Sequence, residues 1–343
     1  MRPSGTQAQA EPAADVLVDP IDDDAPWHRF VRKRLAEGEG IVNADDADQL
    51  EISVQAPSRS QLSGIGRFEN NLARKGFFDL RTNREEESTG SQQKTDLVGK
   101  TTLTFTMGAL GPLEMDCIAW TMGRWQQGTD AVTFGLRELC RSLGVSWKGQ
   151  KGNAIKDAFM RIKATTITGR VWDATERKHT TIVFSIFDRV EIVEERASEH
   201  GPATRAAGIK VVLSEWVLSQ LRAGQYSDFE WKDYRGKLTS AFSRRLYLLL
   251  ESQEGTDGGT LWRVLIDDVL GQTLGTLDAT RNASRFRANL RASGTEICAA
   301  LSQYRSITVV AGQKRGEYWL EVRRSLGWRE QRLARRRNTL PAV

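Results

Sequence analysis

Val132-Thr-Phe-Gly-Leu-Arg-Glu-Leu-Cys-Arg-Ser-Leu-Gly144 and Gln150-Lys-Gly-Asn-Ala-Ile-Lys-Asp-Ala-Phe-Met-Arg-Ile-Lys-Ala164 are the two pieces of sequence that decide the fold. Ala131–Phe134 reads as a short strand entry, and Leu136, Leu139, Cys140 and Leu143 follow at offsets 0, 3, 4 and 7, one apolar helical stripe. Gly144 comes directly after that stripe, where a helix C-cap asks for the positive φ that glycine adopts cheaply. Ile155, Ala158, Phe159 and Ile162 repeat the same offsets in a second helix, Gln150–Ala164. From Arg141 to Lys163 there are six lysines or arginines and one acid, Asp157. Thr165–Phe187 then alternates as a two-stranded hairpin, with Ile182, Phe184 and Ile186 on one face and Thr181, Val183, Ser185 and Phe187 on the other. Helix, turn, basic helix and hairpin is the order of a winged helix-turn-helix, whose second helix enters the DNA major groove.

Working outward, the plan recurs. Glu194–Ala207, polar and holding Gly201-Pro202, reads as a domain boundary. Beyond it come a strand at Ile209–Leu213, a short helix at Ser214–Leu221 with Ser214 as N-cap, and a long helix from Arg235 to Glu251. Ile266, Val269, Leu270 and Leu274 mark another short helix, and Thr280–Ser302 a long one buried along Phe286, Leu290, Ile297 and Leu301. Ser306–Val310 and Glu317–Val322 close a second hairpin around Ala311-Gly-Gln-Lys-Arg-Gly316. The expected fold class is α+β, mainly α with small β-hairpins, as two tandem winged helix-turn-helix domains forming an architectural pseudo-repeat. The expected boundaries are a disordered acidic tail at 1–26, a poorly ordered region at 27–100, a first winged domain at 101–195, a linker at 196–207, a second winged domain at 208–324 and a basic tail at 325–343.

Charge is distributed to match. The chain of 343 residues carries a net +5 and a pI near 9.1, a modest bias toward polyanions. Residues 1–26 hold six acids against Arg2, whereas Arg323–Arg337 holds seven arginines against Glu330. No acid interrupts the chain between Asp278 and Glu296, where Arg281, Asn282, Arg285, Arg287 and Arg291 lie on the first turns of the long helix. Arginine offers a planar fork to guanine, and asparagine pairs bidentately with adenine. In the first unit the candidates are Lys148, Lys151, Asn153 and Lys156, lysines more often serving phosphates. Arg177 and Lys178 at the first hairpin tip, and Lys314 and Arg315 at the second, are placed for backbone phosphates.

Other chemistries are poorly supplied. Cys117, Cys140 and Cys298 fall on apolar helical positions without CxxC spacing, and they read as buried thiols in a reducing, cytoplasmic compartment. No apolar run suits a signal peptide or a membrane span. Gly99-Lys100-Thr101 ends like a phosphate-binding loop, but Lys94 stands where that loop needs a glycine. Asp267 and Asp268 read better as polar positions of a short helix than as magnesium ligands, and His28, His179 and His200 are isolated. The sequence therefore predicts no catalysis, no metal and no cofactor.

The sequence also resembles a known family. Val132–Leu139 running into Lys156–Lys163, Thr165-Thr-Ile-Thr168, Val212-Leu-Ser-Glu-Trp216, Ser243-Arg-Arg-Leu-Tyr-Leu-Leu249 and the frame Phe286, Leu290, Ile297 resemble the plasmid replication initiators of the RepA and replication initiator protein A type. The likeness runs over Thr101–Arg324. It implies tandem winged-helix domains, binding to direct repeats (iterons) at an origin, opening of the adjacent duplex, and host helicase loader and helicase as partners. It also implies a homodimer joined largely through the first winged domain. A winged-helix transcriptional regulator without a replication role shares every DNA-binding feature and stays open at this point.

Overall fold

The computed structural model describes residues 64–74, 78, 80, 93–95, 102–105, 110–145, 150–173, 178–196, 203–253, 260–275, 282–328 and 330, the backbone alone for some strand residues. All of them fall in one of the two compact units into which the chain divides, Glu51–Val343. The acidic tail at 1–26 lies outside the described residues, as does Gly99-Lys100-Thr101.

In chain order the elements begin with β1 (Ile65–Glu69), α1 (Asn70–Arg74), β2 (Gln93–Thr95) and β3 (Thr102–Phe105). Helix α2 (Pro112–Gly123) starts on a proline at its first turn, and the Glu114 carboxylate reaches back to accept from the Gly111 N–H at 2.8 Å. Then come β4 (Ala131–Gly135), α3 (Leu136–Leu143), α4 (Gln150–Ala164), β5 (Thr166–Asp173), β6 (Lys178–Ser185), β7 (Phe187–Arg196) and β8 (Ala203–Leu213). The later elements are α5 (Glu215–Arg222), β9 (Tyr226–Glu230), α6 (Trp231–Gly236), α7 (Ala241–Ser252), β10 (Leu261–Leu265), α8 (Asp268–Thr273), α9 (Ala283–Ala300), β11 (Tyr304–Ala311) and β12 (Tyr318–Arg324). Strands join in four sheets ordered β1-β9, β2-β3-β5-β6, β4-β8-β7 and β10-β12-β11.

The deciding stretch folds as its pattern demands. Leu136, Leu139, Cys140 and Leu143 are buried, and so are Ile155, Ala158, Phe159 and Ile162. Gly144 caps α3 with φ +71°. Ser214 caps α5, accepting from the Val217 N–H at 3.4 Å, and Asp267 caps α8, accepting from the Leu270 N–H at 2.9 Å. The fold is α+β, and its strands are more than small hairpins; β8 alone runs 11 residues.

Three expectations are corrected. Within the expected boundary, Glu194–Arg196 and Ala203–Ala207 are strand and not linker: β7 and β8 pair antiparallel as far as Arg196 with Ala203, and β8 is the central strand of a sheet shared with β4. Their polar sequence lacks the alternation that marks a half-buried strand, and the pairing contains register shifts that break the pattern further. The long helix Arg235–Glu251 is two helices. Gly236 ends the first, and Ser240 caps the second by accepting from the N–H groups of Phe242 and Ser243. Phe187 is buried beside Ile186 rather than on the opposite face, because the chain bends at Ile186 and starts a strand of a different sheet.

Ile65–Arg74, within the region expected to be poorly ordered, is a structural joint. β1 pairs with β9 from Ile65–Glu230 to Glu69–Tyr226, and Phe68 and Leu72 are 1% exposed. Arg67 grips Asp228 with its Nε at 2.6 Å and Nη2 at 3.2 Å, its guanidinium 4.2 Å from the centre of the Tyr226 ring. Asp116 of α2 accepts from the Tyr234 hydroxyl at 2.7 Å, meets Arg235 at 3.0 Å and lies 3.3 Å from Arg244. The last carbonyls of α3 are taken up from the same side: Trp231 donates to Ser142 at 3.0 Å and Arg235 to Leu143 at 2.5 Å. Helix packing and polar contacts thus tie both halves to one strand pair.

Glu69 closes α1, accepting from the N–H groups of Asn71 at 2.9 Å and Leu72 at 2.7 Å. Burial raises its carboxyl from 4.5 to about 7, against the pull of those donors and of Arg74. A raised folded value means stability that is full below the unfolded pKa and is lost as pH rises toward 7. The difference corresponds to about 3 kcal/mol. We expect the stability advantage of the wild type over Glu69→Gln to shrink by that order between pH 4.5 and 7 and to level above it. Urea unfolding at a series of pH values checks this, and a pH-independent difference would refute it.

Candidate nucleic-acid interface

Helix α9 is amphipathic in the sense the sequence predicts. Phe286, Leu290 and Ile297 are buried, and Asn282, Arg285, Asn289 and Arg291 are exposed. The helix lies tightly on β11, since a Cβ on Gly294 would sit 2.7 Å from the Ile307 carbonyl oxygen. Its C-terminal half is fixed by polar contacts. Ser293 and Ser243 hydroxyls meet at 2.9 Å, Lys237 donates to the Ala300 carbonyl at 3.2 Å, and Glu296 accepts from Thr239, Ser240 and Ser243. Burial alone would raise the Glu296 carboxyl, but the hydrogen bonds from Ser243, Thr239 and the Thr239 and Ser240 amides outweigh it and hold it below the ordinary value. The first acid after the arginine-bearing turns therefore serves as an anchor. It does not oppose an anion at the exposed face.

The hairpin β11–β12 stands beside this helix. Its tip is closed by the Gly312 N–H donating to Glu317 at 2.8 Å and the Glu317 N–H donating to Lys314 at 3.0 Å, with Gly316 at φ +83°. Lys314 and Arg315 are exposed there. Arg287 behaves differently from its neighbours: it is half-buried and its guanidinium lies 4.1 Å from the Tyr318 ring centre. That contact braces the helix against the tip end of the hairpin, where Tyr318 pairs with Ala311, and occupies the Arg287 guanidinium.

In the first half the solvent side of α4 carries Asn153, exposed, and Lys156, half-buried. Arg161 is occupied, its Nε 2.8 Å and its Nη2 2.5 Å from the buried Glu114 carboxylate. The strands β5 and β6 pair over their whole length, from Thr166–Ser185 to Asp173–Lys178. Lys148, Arg177 and Arg281 lie outside the described residues, and only the backbone is described at Lys151 and Lys178.

The motif Ser243-Arg-Arg-Leu-Tyr-Leu-Leu249 proves to be core. Arg244 donates to the carbonyls of Leu238 at 3.2 Å and Thr239 at 2.9 Å, and Arg245 to Thr273 at 2.7 and 3.2 Å. Arg245 also faces Phe78 at 5.1 Å, and burial brings its guanidinium down to about 9. Among the described residues no group of three His, Cys, Asp or Glu could hold a metal, and no helix is long and apolar enough to cross a membrane. Cys117 and Cys140 are buried and Cys298 is half-buried.

Residues 113–302 match the family described as replication initiator protein A, more than half of the chain. The chain belongs to that family. The initiator also resembles solved structures of domains 2 and 3 of RctB. One matches at 12% identity and TM-score 0.47, covering 74% of this chain and 98% of the other. A selenomethionine derivative of the same two domains matches at 13% identity and TM-score 0.46, covering 72% and 94%. No curated protein matches the initiator. The matched span runs from Leu113 in α2 to Ser302 just past α9, so it takes in the α3–α4 pair, the β9 side of the joint and the arginine face of α9, while β1 and α1 lie before it.

Proposed function

We propose that this initiator is a sequence-specific double-stranded DNA-binding protein made of two winged helix-turn-helix units, with no catalysis of its own. It binds direct repeats at a plasmid-type origin, opens the adjacent duplex, and recruits a host helicase loader and helicase. In this reading α3, α4 and β5–β6 are the helix pair and wing of the first unit, and α8, α9 and β11–β12 those of the second. The first unit includes β8, since that strand completes its sheet. The two second helices enter successive major grooves, roughly 10 base pairs apart. A homodimer of the initiator is an additional state of the same protein.

The observation that carries the reading is the surface of α9. Asn282, Arg285, Asn289 and Arg291 are exposed, no acid lies among them, and the exposed Lys314 and Arg315 are on the adjoining hairpin. Base-reading fork, amide and phosphate-binding tip are the parts that groove recognition requires. Membership of the replication initiator protein A family supports origin repeats over a promoter operator as the target of such a surface.

Fluorescence anisotropy with DNA flanking the initiator's own gene, at several salt concentrations and with footprinting, tests the proposal. The expected result is protection of regularly spaced direct repeats, with random DNA bound about 10³-fold more weakly. One protected inverted repeat would replace it with the regulator reading, and no specific binding would end both. Within that assay Arg285→Ala is expected to lose about 1–3 kcal/mol on the cognate repeat and to relax one base position. Lys314→Ala is expected instead to weaken all sequences alike and to lower the salt slope by about 1. Equal losses on specific and random DNA for Arg285→Ala would deny it a base.

A further inference from the structure

The lone acid of helix α4, Asp157, is exposed and makes no hydrogen bond or ion pair among the described residues. Buried Ile155, Ala158, Phe159 and Ile162 define the inner side of the helix. Opposite them Asn153, Asp157, Met160 and Ala164 form one exposed stripe at offsets 0, 4, 7 and 11. The stripe contains no cation: Lys156 and Lys163 are half-buried along one flank, and Arg161 on the other is held by Glu114. Asp157 is the eighth of the 15 residues of α4, so it caps neither end. It has no ion-pair partner among the described residues, and aspartate is a weak helix former. Met160, 52% exposed, is likewise an apolar side chain without a core to fill.

A carboxylate in the middle of a groove-facing helix is repelled by phosphates on both sides. A hydrogen-bond donor on a base edge offsets that repulsion, and the cytosine N4 amino group is the usual donor to a carboxylate in the major groove. Resting on the DNA-binding reading above, we propose that Asp157 is a specificity-determining residue that accepts a hydrogen bond from a cytosine N4 amino group in the repeat. Met160, one turn along the same stripe, packs on a neighbouring base edge, where a thymine methyl fits an apolar side chain. The two second helices thus read with different chemistry, α9 through cations and amides, α4 through a carboxylate flanked by lysines. Asp157 also raises selectivity by penalising every sequence that offers no donor at its position.

The test is selection from a randomised duplex library with the full chain, comparing wild type, Asp157→Ala and Asp157→Asn, each checked by circular dichroism. The wild type is expected to select a motif with one C·G position that Asp157→Ala no longer distinguishes. On the wild-type motif that variant loses roughly 5- to 150-fold in affinity, while its binding to random duplex strengthens. Asp157→Asn is expected to move the preference at the same position from cytosine to adenine, the base an amide pairs with. If both variants select the unchanged motif and bind all duplexes more tightly, the acid acts only by repulsion and the inference is overturned. If the wild type selects no motif, the DNA-binding reading fails first and takes the inference with it.

Discussion

Replacing Asp116 with alanine is expected to cost about 3–5 kcal/mol, the range for removing one partner of a buried charge cluster. The carboxylate is 3% exposed and serves Tyr234, Arg235 and Arg244, which are 0%, 4% and 5% exposed. Without it two buried guanidinium groups lose their counter-charge and a buried phenol loses its acceptor. Burial already holds Arg235 below its ordinary pKa, with Asp116 the main force opposing that shift. Burial and the nearby Asp116 charge push the Tyr234 phenol far up. Domain stabilities are of order 5–15 kcal/mol, so this loss takes a large share of the total. Urea unfolding would register it as a lower midpoint with an unchanged slope. Asp116→Ala combined with Arg235→Met should recover part of the loss, because the second change removes a charge left unpaired. A loss under ~1 kcal/mol would mean that the cluster is not the joint it is taken to be.

The second large effect is expected from a single methyl group. Gly123 ends α2 against the backbone of β1, and a Cβ there would lie 2.0 Å from the Ile65 carbonyl oxygen. That neighbour is main chain held in the β1–β9 pair, so it cannot swing aside as a side-chain tip would. Gly123→Ala must push α2 off the strand or break a ladder bond, and overpacking of this kind costs about 3 kcal/mol. Gly128→Ala is the matched control. Gly128 has φ +88° but nothing within 4 Å of its Cβ position, so only the backbone preference opposes alanine, roughly 1–2 kcal/mol. Comparable losses for the two variants, by the same unfolding measurement, would contradict the close packing of α2 on β1.

How much of this was legible in the sequence depends on the range of the physics involved. The stripes of α3 and α4, the Gly144 cap and the Ser214 cap rest on neighbours within two turns, and pattern reading found them. The arginine face of α9 was also visible, because a run without acids needs no partner to be noticed. The joint was hidden. Arg67, Glu69, Asn70 and Asn71 are polar, yet each is at most 7% exposed, and Arg67 and Asn70 find their partners, Asp228 and Ser227, far along the chain. A polar run with distant partners has the composition of a loop. Arg244 and Arg245 are a further case that composition does not reveal, since two adjacent arginines in a helix are here buried and donate to backbone carbonyls. Asp157 was recorded as the exception in a basic helix; only the burial of its neighbours shows that it sits at the centre of the exposed stripe.

The pairing of β1 with β9 also sets a schedule for synthesis. Arg67 and Asp228 are 161 residues apart. At roughly 5–20 residues per second, the ribosome needs on the order of ten seconds or more to deliver the second after the first. During that interval β1 has no β-partner, and α1, which carries Leu72, has no α7 to lie against. The helix pair α3–α4 can settle from local contacts in that time, but the strand that unites the halves must wait. The nascent initiator is therefore exposed to chaperones and proteases at its early end until translation has passed Ser252, and slowing the ribosome between these points should lower its yield more than slowing it afterwards.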